Sequence, residues 1–152
     1  MASYERSVWI NRPVEQVFEF ATNPENEPLW NTGMQESEIT SAGPLGVGAK
    51  VRSVSRVLGR NVETTWKVTE YEMNRKKAVK STSVPIPFES AAVFESFEGG
   101  TKLTFSIQAE AAGIFRLITP VIIRMGKSQT ENSFANLKEL LEAEGQSSRR
   151  SF

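Results

Sequence analysis

The hydrophobic period of this chain changes once, near residue 110, and that change limits the folds open to it. In TKLTFSIQA (101–109), Leu103, Phe105, Ile107 and Ala109 point one way and Lys102, Thr104, Ser106 and Gln108 the other. Such alternation describes a strand with one covered and one wet face. From about Ile114 to Ala143 the spacing becomes helical. Phe115, Ile118, Ile122 and Met125 form one stripe, which Phe134, Leu137 and Leu141 continue after the polar stretch GKSQTENS. Pro120 sits within the first turns or marks a break after a short lead-in helix. An antiparallel sheet with a long helix across its apolar face satisfies both periods.

The remaining segments extend the same plan. Tyr4, Arg6, Val8 and Ile10 alternate with Glu5, Ser7, Trp9 and Asn11, which predicts a first strand. Pro13 suits the start of a helix, and Val14, Val17, Phe18 and Ala21 recur at helical spacing with Glu15 near the positive end of its dipole. Asn23-Pro24 ends that helix, and PENEPLW has room for one more short turn, with Trp30 returning toward the core. From Met34 onward the chain reads as strands and turns. KVRSVSRVL follows the glycine-rich GPLGVGAK, and LGRN leads into VETTWKV, where Val62, Thr64, Trp66 and Val68 share a face. YEMNRKK turns into AVKSTS, VPIP precedes FESAAVFESF, and EGG opens the last hairpin.

Composition removes much chemistry. Among 152 residues there is no His, no Cys and no Asp. A Ser-His-Asp triad, a thiolate nucleophile, His or Cys zinc sites, His- or Cys-ligated haem and disulfides are all outside the reach of this chain. The expectation is no metal and no cofactor. Lys plus Arg and Asp plus Glu each total 18, a balance that argues against nucleic-acid binding. No run of about 18 apolar residues predicts a membrane helix. MASYERSV lacks a secretion-signal core, so the expectation is cytoplasmic. One domain is expected over 1–145, with 146–152 as a flexible tail, and the oligomeric state, monomer or homodimer, stays open.

Strand, two short helices, six strands and a long C-terminal helix make an α+β helix-grip fold, a curved antiparallel sheet of about seven strands around the helix. Particular stretches sharpen this. VWINRPVEQVFEFATNPENEPLW resembles the opening of the START/Bet v 1-like (SRPBCC) superfamily, especially its bacterial polyketide cyclase/dehydrase-like branch. WKVTEYEMNRK resembles that branch's fourth strand and turn, FESFEGGTKLTFSI its Gly-Gly-Thr hairpin, and FANLKELLEAE the end of its long helix. The resemblance covers nearly the whole chain. It implies a cavity between sheet and long helix that takes lipids, hormones, polyketides or other apolar molecules. Binding such a molecule is the leading expectation; the alternative is a polyketide cyclase or dehydratase acting by positioning with Tyr, Glu or water, and the second alternative a chaperone-activator type of interaction module using the outer sheet face.

On that plan the ligand-binding candidates are Trp30, Val54, Trp66, Val68, Phe94, Phe105 and Ile107, facing Ile118, Ile122 and Met125 of the helix. Ile86 and Phe88 belong to the loop Val84–Phe88, which with Gly59 and Ala111–Gly113 would form the mouth. The catalytic candidates are Tyr71 and Glu70, near an expected bulge, with Glu63, Arg52, Arg56 and Gln129 also weighed. A carboxylate held in an apolar cavity would have a raised pKa, whereas Glu63, alternating with Val62 and Thr64, should point to solvent. Arg116 and Arg124 flank apolar residues in IFRLITPVIIRM, but burial against the sheet accounts for these better than membrane contact does. The expected partner is a small apolar ligand.

Overall fold

The computed structural model describes residues 2–57, 59–82, 87–109 and 115–150. Strand β1 (Ala2–Ile10) leads to helix α1 (Val14–Thr22), a 3₁₀ turn at Pro24–Asn26 and the short helix α2 (Glu27–Trp30). Strands β2 (Met34–Ile39), β3 (Lys50–Val57), β4 (Arg60–Glu72), β5 (Lys76–Ser81), β6 (Phe88–Phe97) and β7 (Gly100–Ala109) follow. Helix α3 (Phe115–Arg150) closes the chain. The seven strands form one antiparallel sheet in the order β1-β7-β6-β5-β4-β3-β2. This is the helix-grip fold.

Local chemistry explains the breaks. The carbonyl of Pro13 accepts from the N–H groups of Gln16 and Val17, both at 3.1 Å, which starts α1. Its inner face is Val17, Phe18, Ala21 and Thr22. The Asn23 side chain then accepts from the Glu25 N–H at 3.1 Å and turns the chain into the 3₁₀ segment. The β6–β7 turn places Glu98 and Gly99 at φ of 48° and 79°, the paired positive values of a two-residue hairpin. Beside it, a Cβ on Gly100 would overlap the Ile10 carbonyl oxygen and lie 2.8 Å from the Trp9 ring. Only glycine lets β1 approach so closely here.

Two apolar clusters hold the domain. Ile10, Val17, Phe18, Phe94, Leu103, Phe134, Leu137 and Leu141 unite α1, α3 and the β1-β7-β6 half of the sheet. Ala49, Val51, Trp66 and Val68 form the second under β3 and β4. Polar contacts seat α3 on β1. Tyr4 Oη lies 3.0 Å from Thr130 Oγ1, Arg6 Nε donates to Glu131 at 2.9 Å, and Lys138 Nζ donates to the Trp9 carbonyl at 2.8 Å. Pro120 lies inside α3, where it removes one hydrogen bond of the helical ladder without ending the helix. The helix also runs past residue 145 to Arg150, through much of the segment expected to be a tail.

Candidate functional site

Between the two clusters lies a cavity of about 440 Å³, within the range of small-molecule sites. Its wall has two characters. Phe88, Phe94, Leu103, Phe105 and Ile107 of β6 and β7, with Phe134 of α3, make an aromatic side. Phe94 packs edge-on against Phe18 with centroids 5.1 Å apart, and Phe105 meets Phe134 at 6.5 Å, so this side is held rigidly. The other side carries Ser53 and Ser55 of β3, Thr64 and Trp66 of β4, Lys77 of β5, and Glu27 and Trp30 of α2. Trp66 Nε1 donates to Ser53 Oγ at 3.4 Å, and the indole N–H of Trp30 is buried without a partner among the described residues.

The loop after α2 is clamped to α3. The Thr32 N–H donates to Ser133 Oγ at 2.9 Å, and Gln129 Nε2 donates to the Thr32 carbonyl. Gln129 itself lines the cavity, and a Cβ on Gly33 would meet its amide nitrogen at 2.9 Å. Small residues and short bonds thus fix where α2 presents its side chains.

The chemically distinctive feature is an ion pair in this wall. Lys77 and Glu27 have side chains only 7% and 15% exposed, with Lys77 Nζ 4.0 Å from Glu27 Oε1. The ammonium also donates to the Thr22 carbonyl at the C-terminus of α1, 2.8 Å away, and lies 4.9 Å from the Trp66 ring centroid. A helix C-terminus and an aromatic face both favour a cation. Burial pushes the Lys77 ammonium below its ordinary pKa, with Glu27 pulling it back up. Burial likewise raises the Glu27 carboxyl, against the opposing pull of Lys77 and Asn31.

Several expected site residues lie elsewhere. Val54 is on the outer face, opposite Glu63 of β4 and Glu36 of β2, because the inward row of β3 is Val51, Ser53 and Ser55. Val68 is sealed in the second cluster at 1% exposure and is not part of the cavity wall. Met125 points instead into a shallow groove with Thr32, Gly33 and Asn132. Tyr71 packs on Phe18 at 5.5 Å and lines an outer groove with Leu45 and Met73. Glu70 is exposed and bonds Lys76 at 2.9 Å. The register of β4 shifts between Val68 and Glu70, so that Tyr71 rather than Glu70 packs against the two buried clusters. Glu63 does point to solvent, where Arg52 bridges it at 3.0 Å and reaches Glu36 and Glu38. Trp30, Trp66, Phe88, Phe94, Phe105 and Ile107 are brought together in the wall. Ile86, the Ala111–Gly113 part of the expected mouth and the side chains of Ile118 and Ile122 lie outside the described residues.

Sequence reasoning missed Glu27 and Lys77. Lys77 sits two residues before Val79, which also faces the cavity, so the strand period carried back from that valine would have found it. For Glu27 the only signal is its place one helical turn before Trp30.

Comparison with known proteins places this geometry. The family model described as polyketide cyclase / dehydrase and lipid transport matches residues 1–142. No curated protein sequence matches. Among solved structures, TTHA0849 from Thermus thermophilus is similar with a TM-score of 0.80 at 18% identity, covering 93% of this chain and 98% of that one. A START superfamily protein from Mycobacterium smegmatis is similar with a TM-score of 0.79 at 14% identity, over 93% and 97%. The di-domain ARO/CYC BexL from the BE-7585A biosynthetic pathway gives 0.75 at 15% identity, over 93% of this chain and 47% of that one. Among the described residues, no helix is long and apolar enough to cross a membrane, and no group of three or more acidic, His or Cys side chains could hold a metal.

Proposed function

Because the chain belongs to the polyketide cyclase/dehydrase and lipid transport family of the START/Bet v 1-like superfamily, we propose that it binds one apolar or aromatic small molecule in the cavity between sheet and α3. The observation that carries this is the rigid aromatic side of the cavity, from Phe88 to Phe134, facing open volume rather than packed side chains. Unfilled apolar volume costs stability in proportion to its size, so a retained cavity of this size is best explained by an occupant.

The test uses the neutral fluorescent probe N-phenyl-1-naphthylamine and native mass spectrometry of freshly purified protein. One saturable site is expected, and Ala92→Phe, which fills volume at the wall, should abolish it while the protein still melts cooperatively. Absence of saturable binding by the unaltered protein would overturn the proposal.

A second reading is a cyclase or dehydratase. It is favoured by Lys77 and Glu27, the only Lys and Glu in the described cavity wall. With Tyr71 and Glu70 outside the cavity, proton transfer would fall to this pair or to water, while the aromatic wall positions a flexible chain. Cyclised product from a poly-β-ketone substrate, lost in Glu27→Gln and Lys77→Met, would establish it. Tight binding without turnover would reject it.

A further inference from the structure

Deepening the cavity-binding reading, on which it rests, we propose that Lys77 and Glu27 form a hydroxyl-recognition point. An alcohol or phenol oxygen of the bound molecule bridges them, accepting a hydrogen bond from Lys77 Nζ and donating its own hydrogen to Glu27 Oε1.

The spacing carries this. At 4.0 Å the two charged ends are beyond the roughly 2.7–3.2 Å of a hydrogen bond, so they do not satisfy each other. Both line the cavity, and one oxygen can stand within hydrogen-bond distance of each. An ammonium has three N–H donors, and the Thr22 carbonyl takes only one of them. The Glu27 carboxylate takes a hydrogen bond from the Asn31 side chain and keeps further acceptor sites. The pair therefore presents a spare donor and a spare acceptor side by side.

That combination selects among headgroups. A carboxylate would bring a second anion against Glu27, and an amine a second cation against Lys77. A ketone oxygen can accept from Lys77 but has no hydrogen to give the carboxylate. A hydroxyl does both and adds no charge to a pair that is already balanced. The wall beyond the pair continues the theme, since Ser53, Ser55 and Thr64 line the same cavity opposite the aromatic side. A molecule with one apolar face and a hydroxyl at the end nearest α2 fits both walls. The buried indole N–H of Trp30, one turn after Glu27 and without a partner among the described residues, adds a further donor on the same helix.

The test compares 2-naphthol with 2-methylnaphthalene, close in shape but differing in the hydroxyl, and with 2-naphthoate. Titrations of the unaltered protein should favour 2-naphthol over 2-methylnaphthalene by about tenfold or more, because two charge-assisted bonds are lost with the hydroxyl. Lys77→Met and Glu27→Met should each bring that ratio close to unity while still binding 2-methylnaphthalene. A ratio near unity in the unaltered protein, with both compounds bound, would overturn the proposal and leave the cavity reading standing. So would tighter binding of 2-naphthoate than 2-naphthol, which would mark an anion site. Failure of all three compounds to bind would overturn the cavity reading, and this proposal with it. The comparison within the unaltered protein decides the matter even if a variant does not fold.

Discussion

Replacing Trp66 by alanine probes the point where stability and binding meet. The indole is 6% exposed, packs in the second cluster with Val51 and Val68, and forms part of the cavity wall. Truncating a buried Trp typically costs about 3–5 kcal/mol. One edge of this ring already faces open volume and has fewer neighbours to lose, which puts the packing loss at about 3 kcal/mol. The variant also removes the aromatic face 4.9 Å from the Lys77 ammonium, worth about another 0.5–1 kcal/mol. For a chain of this size each kcal/mol moves the midpoint by about 2–4 °C, so Trp66→Ala should lower Tm by about 7–16 °C by far-UV circular dichroism. Binding of N-phenyl-1-naphthylamine should weaken at least about tenfold, since an aromatic wall panel and the setting of Lys77 go together. A variant that melts within about 2 °C of the parent and binds equally well would refute the reasoning. It would mean that β4 turns its other face inward.

Three further outcomes are expected. Leu137, fully buried where α3 meets the first cluster beside Ile10 and Phe18, should cost about 3–5 kcal/mol as Leu137→Ala in chemical denaturation, with probe affinity of the folded fraction unchanged. Gly100→Ala should destabilise by about 1–3 kcal/mol or more in the same assay, because its Cβ meets the Ile10 backbone as well as the movable Trp9 ring. Burial acts to raise the Glu142 carboxyl, but the Asn11 N–H, Lys138 and Arg12 outweigh it and hold the group below its ordinary value of 4.5. A depressed carboxyl stabilises the fold above its unfolded pKa and loses that contribution as pH falls through the folded one. Glu142→Gln should therefore be less stable at pH 7 and show a flatter loss of stability below about pH 4.5 in denaturation series.

The parts of the fold legible in sequence were those where residue type and orientation agree. In β7, Leu103, Phe105 and Ile107 all face inward, and the Phe134, Leu137 and Leu141 stripe of α3 does the same. In β3 the two disagree. Val54 is apolar yet faces out beside Arg52, while Ser53 and Ser55 line the cavity, so reading by polarity inverted the strand. A cavity relaxes the rule that inward means apolar, because its surface need only suit the occupant. Lys77 was hidden for the same reason. In RKK it resembles a solvated turn, yet β5 register, the α1 carbonyl and Glu27 together hold its charge inside. Met125 lies on the expected helix but is 39% exposed and turns away from the cavity.

The sheet order also bears on how the protein is made. β1 leaves the ribosome before the other six strands, but it pairs only with β7, Ala2 opposite Ala109 and Ile10 opposite Thr101. Every strand between them can zip to a sequence neighbour, whereas β1 must wait while about a hundred residues are added, roughly 5–20 s at ordinary synthesis rates. During that interval Val8 and Ile10 have no sheet to join, and Tyr4 and Arg6 await their partners on α3, which is made after β7. Closing so long a loop is slow, and an unpaired strand invites pairing with another chain. While it is being made the domain is therefore most vulnerable at β1, and a chaperone that shelters this strand would raise the yield of folded protein more than one acting on the central meander.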